Sequence, residues 1–169
     1  LNTDGTNDSR VDERPQIETD GAGNWVTIWD GFSGPTGADL DVFVSRSTNN
    51  GQTWSAPALL NTNGAGDTGD DLRPALSTNR AGNWIAVWYS NQNLGGVAGP
   101  DFDIFYARST DAGQSWSAPA LLNTNATVDG GDDEIPRIAS GGGDNWVAVW
   151  DSNQNLGGVS GGDFDVFVA

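Results

Sequence analysis

Gly23-Asn24-Trp25-Val26-Thr27-Ile28-Trp29 decides the fold, because the chain repeats it. The stretch returns as Gly82-Asn83-Trp84-Ile85-Ala86-Val87-Trp88, and again as Asp144-Asn145-Trp146-Val147-Ala148-Val149-Trp150. Two other stretches keep the same spacing. Asp41-Val42-Phe43 recurs as Asp103-Ile104-Phe105 and Asp165-Val166-Phe167, and the Trp54–Leu60 run recurs at Trp116–Leu122. The offset is 59 from Trp25 to Trp84 and 62 from Trp84 to Trp146. Self-similarity at such a period marks a repeat architecture. The units are 1–60, 61–122 and 123–169, and the third ends before its copy of Trp54–Leu60.

Each unit reads as four strands. Strand A starts near Pro15, Pro74 and Pro136, and a tight turn leads from it to strand B, the Trp-rich run. In strand B, Trp25, Thr27 and Trp29 share one face while Val26 and Ile28 share the other, a period of two. A small residue always separates the two indoles, since Ala86 and Ala148 replace Thr27. Strand C spans 41–47 in the first unit and strand D spans 53–60. Helical periodicity is missing throughout. Tandem four-stranded antiparallel sheets, apolar on both faces, are the blades of a β-propeller. A β-sandwich explains the alternation but not three copies of one pattern. The expectation is an all-β chain of about three propeller blades, the last incomplete.

Composition narrows the chemistry. The 169 residues carry 23 acidic and 7 basic side chains, a formal charge of −16. Nucleic-acid binding needs a phosphate-neutralising surface that such a chain lacks. No apolar run reaches the ~20 residues of a membrane helix. Cysteine and histidine are absent, which excludes disulfides, thiolate chemistry, histidine-ligated zinc and histidine acid–base catalysis.

Ser109-Thr110-Asp111-Ala112-Gly113-Gln114-Ser115-Trp116, between strands C and D, resembles the Asp-box, Ser-x-Asp-x-Gly-x-Thr-Trp. Ser47-Thr48-Asn49-Asn50-Gly51-Gln52-Thr53-Trp54 is a second copy with Asn49 for Asp. In such a hairpin the Asp or Asn side chain accepts bonds from turn amides, Gly supplies a positive φ, and Trp covers the turn. With these boxes in register with the other repeats, the chain resembles the sialidase-like, or BNR-repeat, β-propeller superfamily along nearly its whole length. The resemblance implies a propeller fold. It leaves activity open, because the same boxes serve sialidases, other glycoside hydrolases and non-catalytic receptors.

A residue present in every blade serves the blade, whereas a catalytic site breaks the symmetry. The eight Trp, Arg46, Arg108 and the boxes repeat, so they are read as structural. In an up-and-down blade the A–B and C–D turns share one face of the disc, and the B–C and D–A loops share the other. The second face receives 19 of the 23 acidic residues, a field that gathers cations. Each blade carries an Asp-x-Asp pair on one side of a strand: Asp39/Asp41, Asp101/Asp103 and Asp163/Asp165. These pairs are candidate ligands for Ca²⁺, a hard ion taking 6–8 oxygens. The alternative reading is that the carboxylates cap turns and hydrate the surface. Asp151–Gly157 faintly echoes an EF-hand loop, with Leu156 at the glycine position and Tyr89 replacing Asp151 one blade earlier.

Arg14, Arg73 and Arg137, at or near the start of strand A, are expected around the central mouth, suited to a ligand carboxylate. Each has an acidic neighbour to pair with instead: Glu13, Asp71 or Glu134. The resemblance to sialidases implies an arginine triad and a Tyr nucleophile activated by Glu. The family's Arg-Ile-Pro is not reproduced, and only Tyr89 and Tyr106 are available, with no Glu assigned to either. No catalytic residue is nominated.

Propellers close with 4–8 blades, so three blades leave apolar faces and a strand edge to cover. Completion by self-association or by a longer parent chain is expected. The functional expectation is a secreted or cell-surface, non-catalytic module, binding or structural, with a glycan or protein partner and Ca²⁺ as a stabilising ion. The alternatives are a portion of a sialidase-like glycoside hydrolase and a structural repeat of a surface filament or adhesin.

Overall fold

The computed structural model describes residues 11–32, 39–96, 98–99, 101–128, 130–154 and 163–169. Asp4, Asp8, Asp129 and the second half of the EF-hand-like stretch lie outside them. Among the described residues, eleven strands form three antiparallel sheets. The first holds β1 (Asp12–Thr19), β2 (Trp25–Phe32), β3 (Leu40–Ser47) and β4 (Ala58–Leu59) in that spatial order. The second repeats it with β5 (Asp71–Thr78), β6 (Trp84–Ser90), β7 (Asp103–Ser109) and β8 (Ala120–Leu121). The third has β9 (Asp133–Gly142), β10 (Asn145–Ser152) and β11 (Asp165–Val168), with β10 in the middle. Among the described residues, the one departure from all-β structure is a 3₁₀ turn at Leu94–Gly96.

The sheets stack face to face, as the alternation requires. Val26, Ile28, Val42, Val44 and Leu60 of the first blade share a core with Leu76, Trp84, Ala86, Trp88 and Phe105 of the second. Trp84 and Trp88 are fully buried, and Ala86 between them leaves room for the opposing sheet. Stacked Trp–Phe pairs on neighbouring strands stiffen every blade: Trp29 on Phe43, Trp88 on Phe105 and Trp150 on Phe167. Between the second and third blades the same arrangement sets Ile85, Val87, Tyr106 and Leu122 against Ile138 and Trp146. Four of the eight Trp are buried and the other four half-buried.

Two boundaries differ from the sequence reading. Strand D shrinks to two residues in each of the first two blades, because Pro57 and Pro119 have no N–H to give to a ladder. The residues before each Pro are instead tied by Ser55 N–H to the Arg46 carbonyl at 2.8 Å and Ser45 Oγ to the Ser55 carbonyl at 2.8 Å. Strand A begins earlier than expected, at Asp12, Asp71 and Asp133, and a bulge absorbs the proline. The residue before each proline, Arg14, Arg73 or Ile135, has φ of 52°, 48° or 53°. That left-handed conformation is costly for side-chain-bearing residues, most of all for β-branched Ile135.

The Ser109–Trp116 turn has the anticipated chemistry. Asp111 accepts from the Ser115 N–H at 2.9 Å, the Ser115 hydroxyl at 2.5 Å and the Ser109 hydroxyl at 2.8 Å. These bonds, Ser115's foremost, hold the Asp111 carboxyl at about 2, well below its ordinary 3.8. The turn also reaches its neighbours. Ala112 N–H donates to the Gly82 carbonyl at 3.0 Å, which joins the A–B and C–D turns on one face of the disc. Arg46 Nε of the first blade donates to the Ala112 carbonyl at 2.7 Å. Gly113 lies so close to Val26 that a Cβ there would come within 2.5 Å of a valine methyl. Because the Asp111 pKa is depressed, its contribution is whole above its ordinary value and is lost as pH falls toward about 2. Asp111→Asn, which copies the natural Asn49, keeps the turn bonds and removes that acid-labile part. The gap in urea midpoint between wild type and variant should therefore shrink steadily from pH 5 to pH 2.

Candidate functional site

Part of the acidic loop set is withdrawn from the hydrated rim that composition suggests. Asp30, Asp41, Asp71, Asp103 and Asp133 are all at or below 2% exposure. Asp30 is paired by Arg14, and the other four are drawn inside by the asparagine that follows strand D in the first two blades. Asn61 Nδ2 donates at 2.6 Å to both Asp41 Oδ1 and Asp71 Oδ2, while Asn61 Oδ1 accepts from Val42 N–H at 3.2 Å. Trp88 Nε1 closes the group with a 2.6 Å bond to Asp71. Asn123 repeats the arrangement one blade on, bonding Asp103 and Asp133 at 2.7 Å each. Burial, with the charges of Asp67 and Asp41 nearby, pushes the Asp71 carboxyl up to about 8.

Beside the first of these networks lies the candidate metal centre. Asp39 and Asp41 at the start of β3 meet Asp67, from the β4–β5 connection, with one carboxylate oxygen of each within 4.8 Å of the others. The Asp-x-Asp spacing places the first two on one side of the strand. The 61–67 turn then wraps over them: its Gly64 is packed so that a Cβ would sit 2.1 Å from Asp41 Oδ1. Asp39 is 7% exposed, and its Oδ2 meets no donor. The buried Oδ1 atoms of Asp67 and Asn63 are likewise unpartnered. Burial first, then the charges of Asp41 and Asp39, raise Asp67 to about 6. Oxygen donors this crowded fit a hard divalent cation, which would replace the missing hydrogen bonds and cancel the repulsion.

The other two pairs are placed differently. Asp101 has both carboxylate oxygens buried without a donor, and Asp103 belongs to the Asn123 network. Asp163 and Asp165 are exposed, and no third carboxylate joins either pair among the described residues.

The three arginines do not converge. Arg14 pairs with Glu13 at 3.0 Å and with buried Asp30. Arg73 makes no ion pair among the described residues, yet its charge acts on Tyr89 and Glu134, and its backbone N–H bonds Asp30. Its expected partner, Asp71, is committed to Asn61 and Trp88. Arg137 stands apart. Ile135 takes the bulge position of Arg14 and Arg73, so Arg137 falls in register with Gln16 and Ala75. There it is exposed, with Nη1 on the Pro136 carbonyl at 2.9 Å.

A group that the sequence did not nominate surrounds Arg73. Tyr89 replaces Asp30 and Asp151 of the other blades and is 7% exposed. Burial raises its pKa, Glu134 raises it further, and Arg73 and Arg14 oppose the rise. Glu134 is itself raised, by burial and then by Asp132. The signal was present in the break of the Asp30–Asp151 repeat. The partner Glu134 could not be read, because it comes from the next blade.

No protein-family profile and no curated protein sequence matches the chain. Solved structures do. The chain aligns with a Hadza microbial sialidase at a TM-score of 0.63 and 16% identity, over 93% of its own length and 34% of that chain. This is a sialidase-like β-propeller fold. Trypanosoma rangeli sialidase follows at TM-score 0.61 and 17% identity, over 94% of this chain and 28% of that one. Penicillium chrysogenum α-L-arabinanase, solved with arabinobiose, gives 0.57 and 12%, over 93% and 45%. At these identities the likeness is one of fold, and the chain spans less than half the length of each neighbour.

The buried amide–carboxyl networks are the polar pins of this sialidase-like propeller. Asn61→Ala strands two buried carboxyls at once, so it should cost about 2–4 kcal/mol in urea denaturation. Asn123→Ala should cost a similar amount, whereas Asn93→Ala, outside both networks, should change little.

Proposed function

We propose that the chain is the three-blade portion of a sialidase-like propeller that binds rather than cleaves, secreted or at a cell surface, with a divalent cation, Ca²⁺, at Asp39, Asp41 and Asp67. The observation that carries the cation is the approach of Asp39, Asp41 and Asp67 carboxylate oxygens to within 4.8 Å of one another, with Asp39 Oδ2 and Asp67 Oδ1 buried and without a donor. A bound ion would fasten the β4–β5 connection to the start of β3, and so fix the loop face on which a glycan or protein partner would rest. The glycan class is supported by the printed names of the structural neighbours, which are sialidases and an arabinanase. Ligation by Asp101/Asp103 and Asp163/Asp165 is the weaker part of this reading, since no third carboxylate joins them among the described residues.

Ca²⁺ at a hundred times its dissociation constant stabilises by about 2.7 kcal/mol, or about 5–10 °C in a domain of this size. The thermal midpoint should rise by that amount in Ca²⁺ over EGTA at matched ionic strength. The double variant Asp39→Asn/Asp67→Asn should show no such rise. An unchanged wild-type midpoint removes the cation.

One observation favours a second reading, a portion of a glycoside hydrolase. Tyr89 sits among Glu134, Arg73 and Arg14, where a base and cations could activate a phenol nucleophile. Fluorogenic sialosides and arabinosides decide between the two. Turnover that is abolished by Tyr89→Phe and reduced at least a hundredfold by Arg73→Ala would establish the hydrolase. No turnover leaves the binding module.

A further inference from the structure

On the face of the disc that holds the A–B turns, the inner strands of the three blades surround a recess of ≈ 350 Å³, lined by Glu18, Ser77, Thr78, Arg80, Ile138 and Ser140 among others. Its walls are the inner edge of the middle blade and the flanks that the first and third blades turn toward it. Glu18 pairs with Val26 across β1 and β2, so it lies on the side of that sheet that packs on the second blade. Ser140 pairs with Trp146, whose side packs on Ile85 and Val87. Both charged groups of the recess break the repeat. Glu18 stands where the other blades carry Ser77 and Ala139. Arg80 stands where they carry Gly21 and Gly142, and it keeps the left-handed backbone of those glycines, with φ of 60° beside 78° and 91°. Glycine adopts that conformation freely, whereas a residue with a side chain adopts it at a cost.

The backbone at Arg80 is fixed while its side chain is uncommitted. Arg80 N–H donates to Thr78 Oγ1 at 3.1 Å, and Asn79 Oδ1 accepts from the Ala81 and Asn83 N–H groups at 2.8 and 3.2 Å. Asn79 Nδ2 reaches the Gly143 carbonyl of the third blade at 2.9 Å, which ties the two turns together. Among the described residues, neither the Arg80 guanidinium nor the Glu18 carboxylate enters an ion pair. Opposite charges that share one polar recess without bonding each other complement a molecule that carries both. The wider field agrees. The loop face holds 19 of the 23 acidic residues, and of the four on this face Asp20 and Asp111 are engaged in their own turns. A carboxylate is therefore repelled less here than on the loop side. We propose that this recess binds a small zwitterion of the amino-acid type, its carboxylate on Arg80 and its ammonium on Glu18, with the Ser77 and Ser140 hydroxyls completing the polar lining. The site is on the opposite face from the Asp39–Asp67 group and does not rest on a bound cation.

The test titrates the intact chain with glycine, β-alanine and 4-aminobutyrate, which step the distance between the two charges, and follows backbone amide resonances by NMR. Saturable shifts confined to residues 77–82, 138–142 and Glu18 are expected for at least one of them, with a dissociation constant of about 1 mM for so small a ligand. Affinity should fall at least tenfold in Arg80→Gly and in Glu18→Gln. Arg80→Gly installs the residue that the other two blades carry, so its thermal midpoint should stay level or rise, which separates lost binding from lost folding. Absence of saturation with all three amino acids at about 100 mM, a hundredfold above that constant, would overturn the proposal, as would variants that bind like wild type. Acetate binding as tightly as the best amino acid would also sink it, because Arg80 would then take a bare anion with no part for Glu18. Equal binding of glycerol would do the same, since neither charge would be needed.

Discussion

The structure depends on one steric condition: two indoles on a strand must be separated by a residue small enough to admit the neighbouring sheet. Trp84-Ile85-Ala86-Val87-Trp88 satisfies it with Ala86, and the branched side chains Val26, Ile28, Val42 and Val44 fill the groove between the rings. A larger residue at Ala86 would hold the sheets apart and strip both fully buried Trp of their contacts, a change of several kcal/mol. Because the same strand offers Ile85 and Val87 to the next sheet, each blade is both filler and groove. Repetition of one short pattern therefore propagates the stack.

Stacking alone does not fix the loop ends of the blades, and there the chain uses buried polar groups. A single amide holding two carboxyls is a strong pin only if charge is reduced. Burial pushes the Asp71 carboxyl up to about 8, a direction that favours its neutral form inside the network. The same physics separates pinned carboxyls from the Asp39–Asp67 group. The former have amide and indole donors on their oxygens, whereas the latter crowds three carboxylates with Asp39 Oδ2 and Asp67 Oδ1 lacking a donor, a repulsion that a proton or a cation would relieve.

Blade number, strand alternation, face assignment and the turn chemistry were legible because each rests on local periodicity within 59- and 62-residue units. Burial of the acidic residues was not legible. Asp and Asn in a polar loop look alike whether they face water or an amide, and the difference lies in contacts such as Asn61 to Asp71 and Asp41. The Asp39/Asp41 pair could be read from alternation, but Asp67 arrives through a turn whose path depends on Gly64 fitting under Asp41. Arg137 was misplaced for a backbone reason: counting from the proline put it near Arg14 and Arg73, while the bulge gives their position to Ile135.

The bulge also explains why the hub can carry chemistry that the rest of the blade cannot. A left-handed residue before proline is held only if surrounding contacts compensate its strain, and the first two blades place arginine there. The bulge turns the Arg73 backbone N–H toward Asp30 of the preceding blade, where it hydrogen-bonds the carboxylate. In the second blade the same inner position is Tyr89, which cannot neutralise Arg73 as Asp30 neutralises Arg14. The substitution of one phenol for one carboxylate therefore releases a guanidinium at the centre of the disc, close to Glu134 from the next blade. Among the described residues, the first blade pairs its bulge arginine, Arg14, with Asp30, the second leaves Arg73 outside any ion pair, and the third replaces the arginine itself with Ile135.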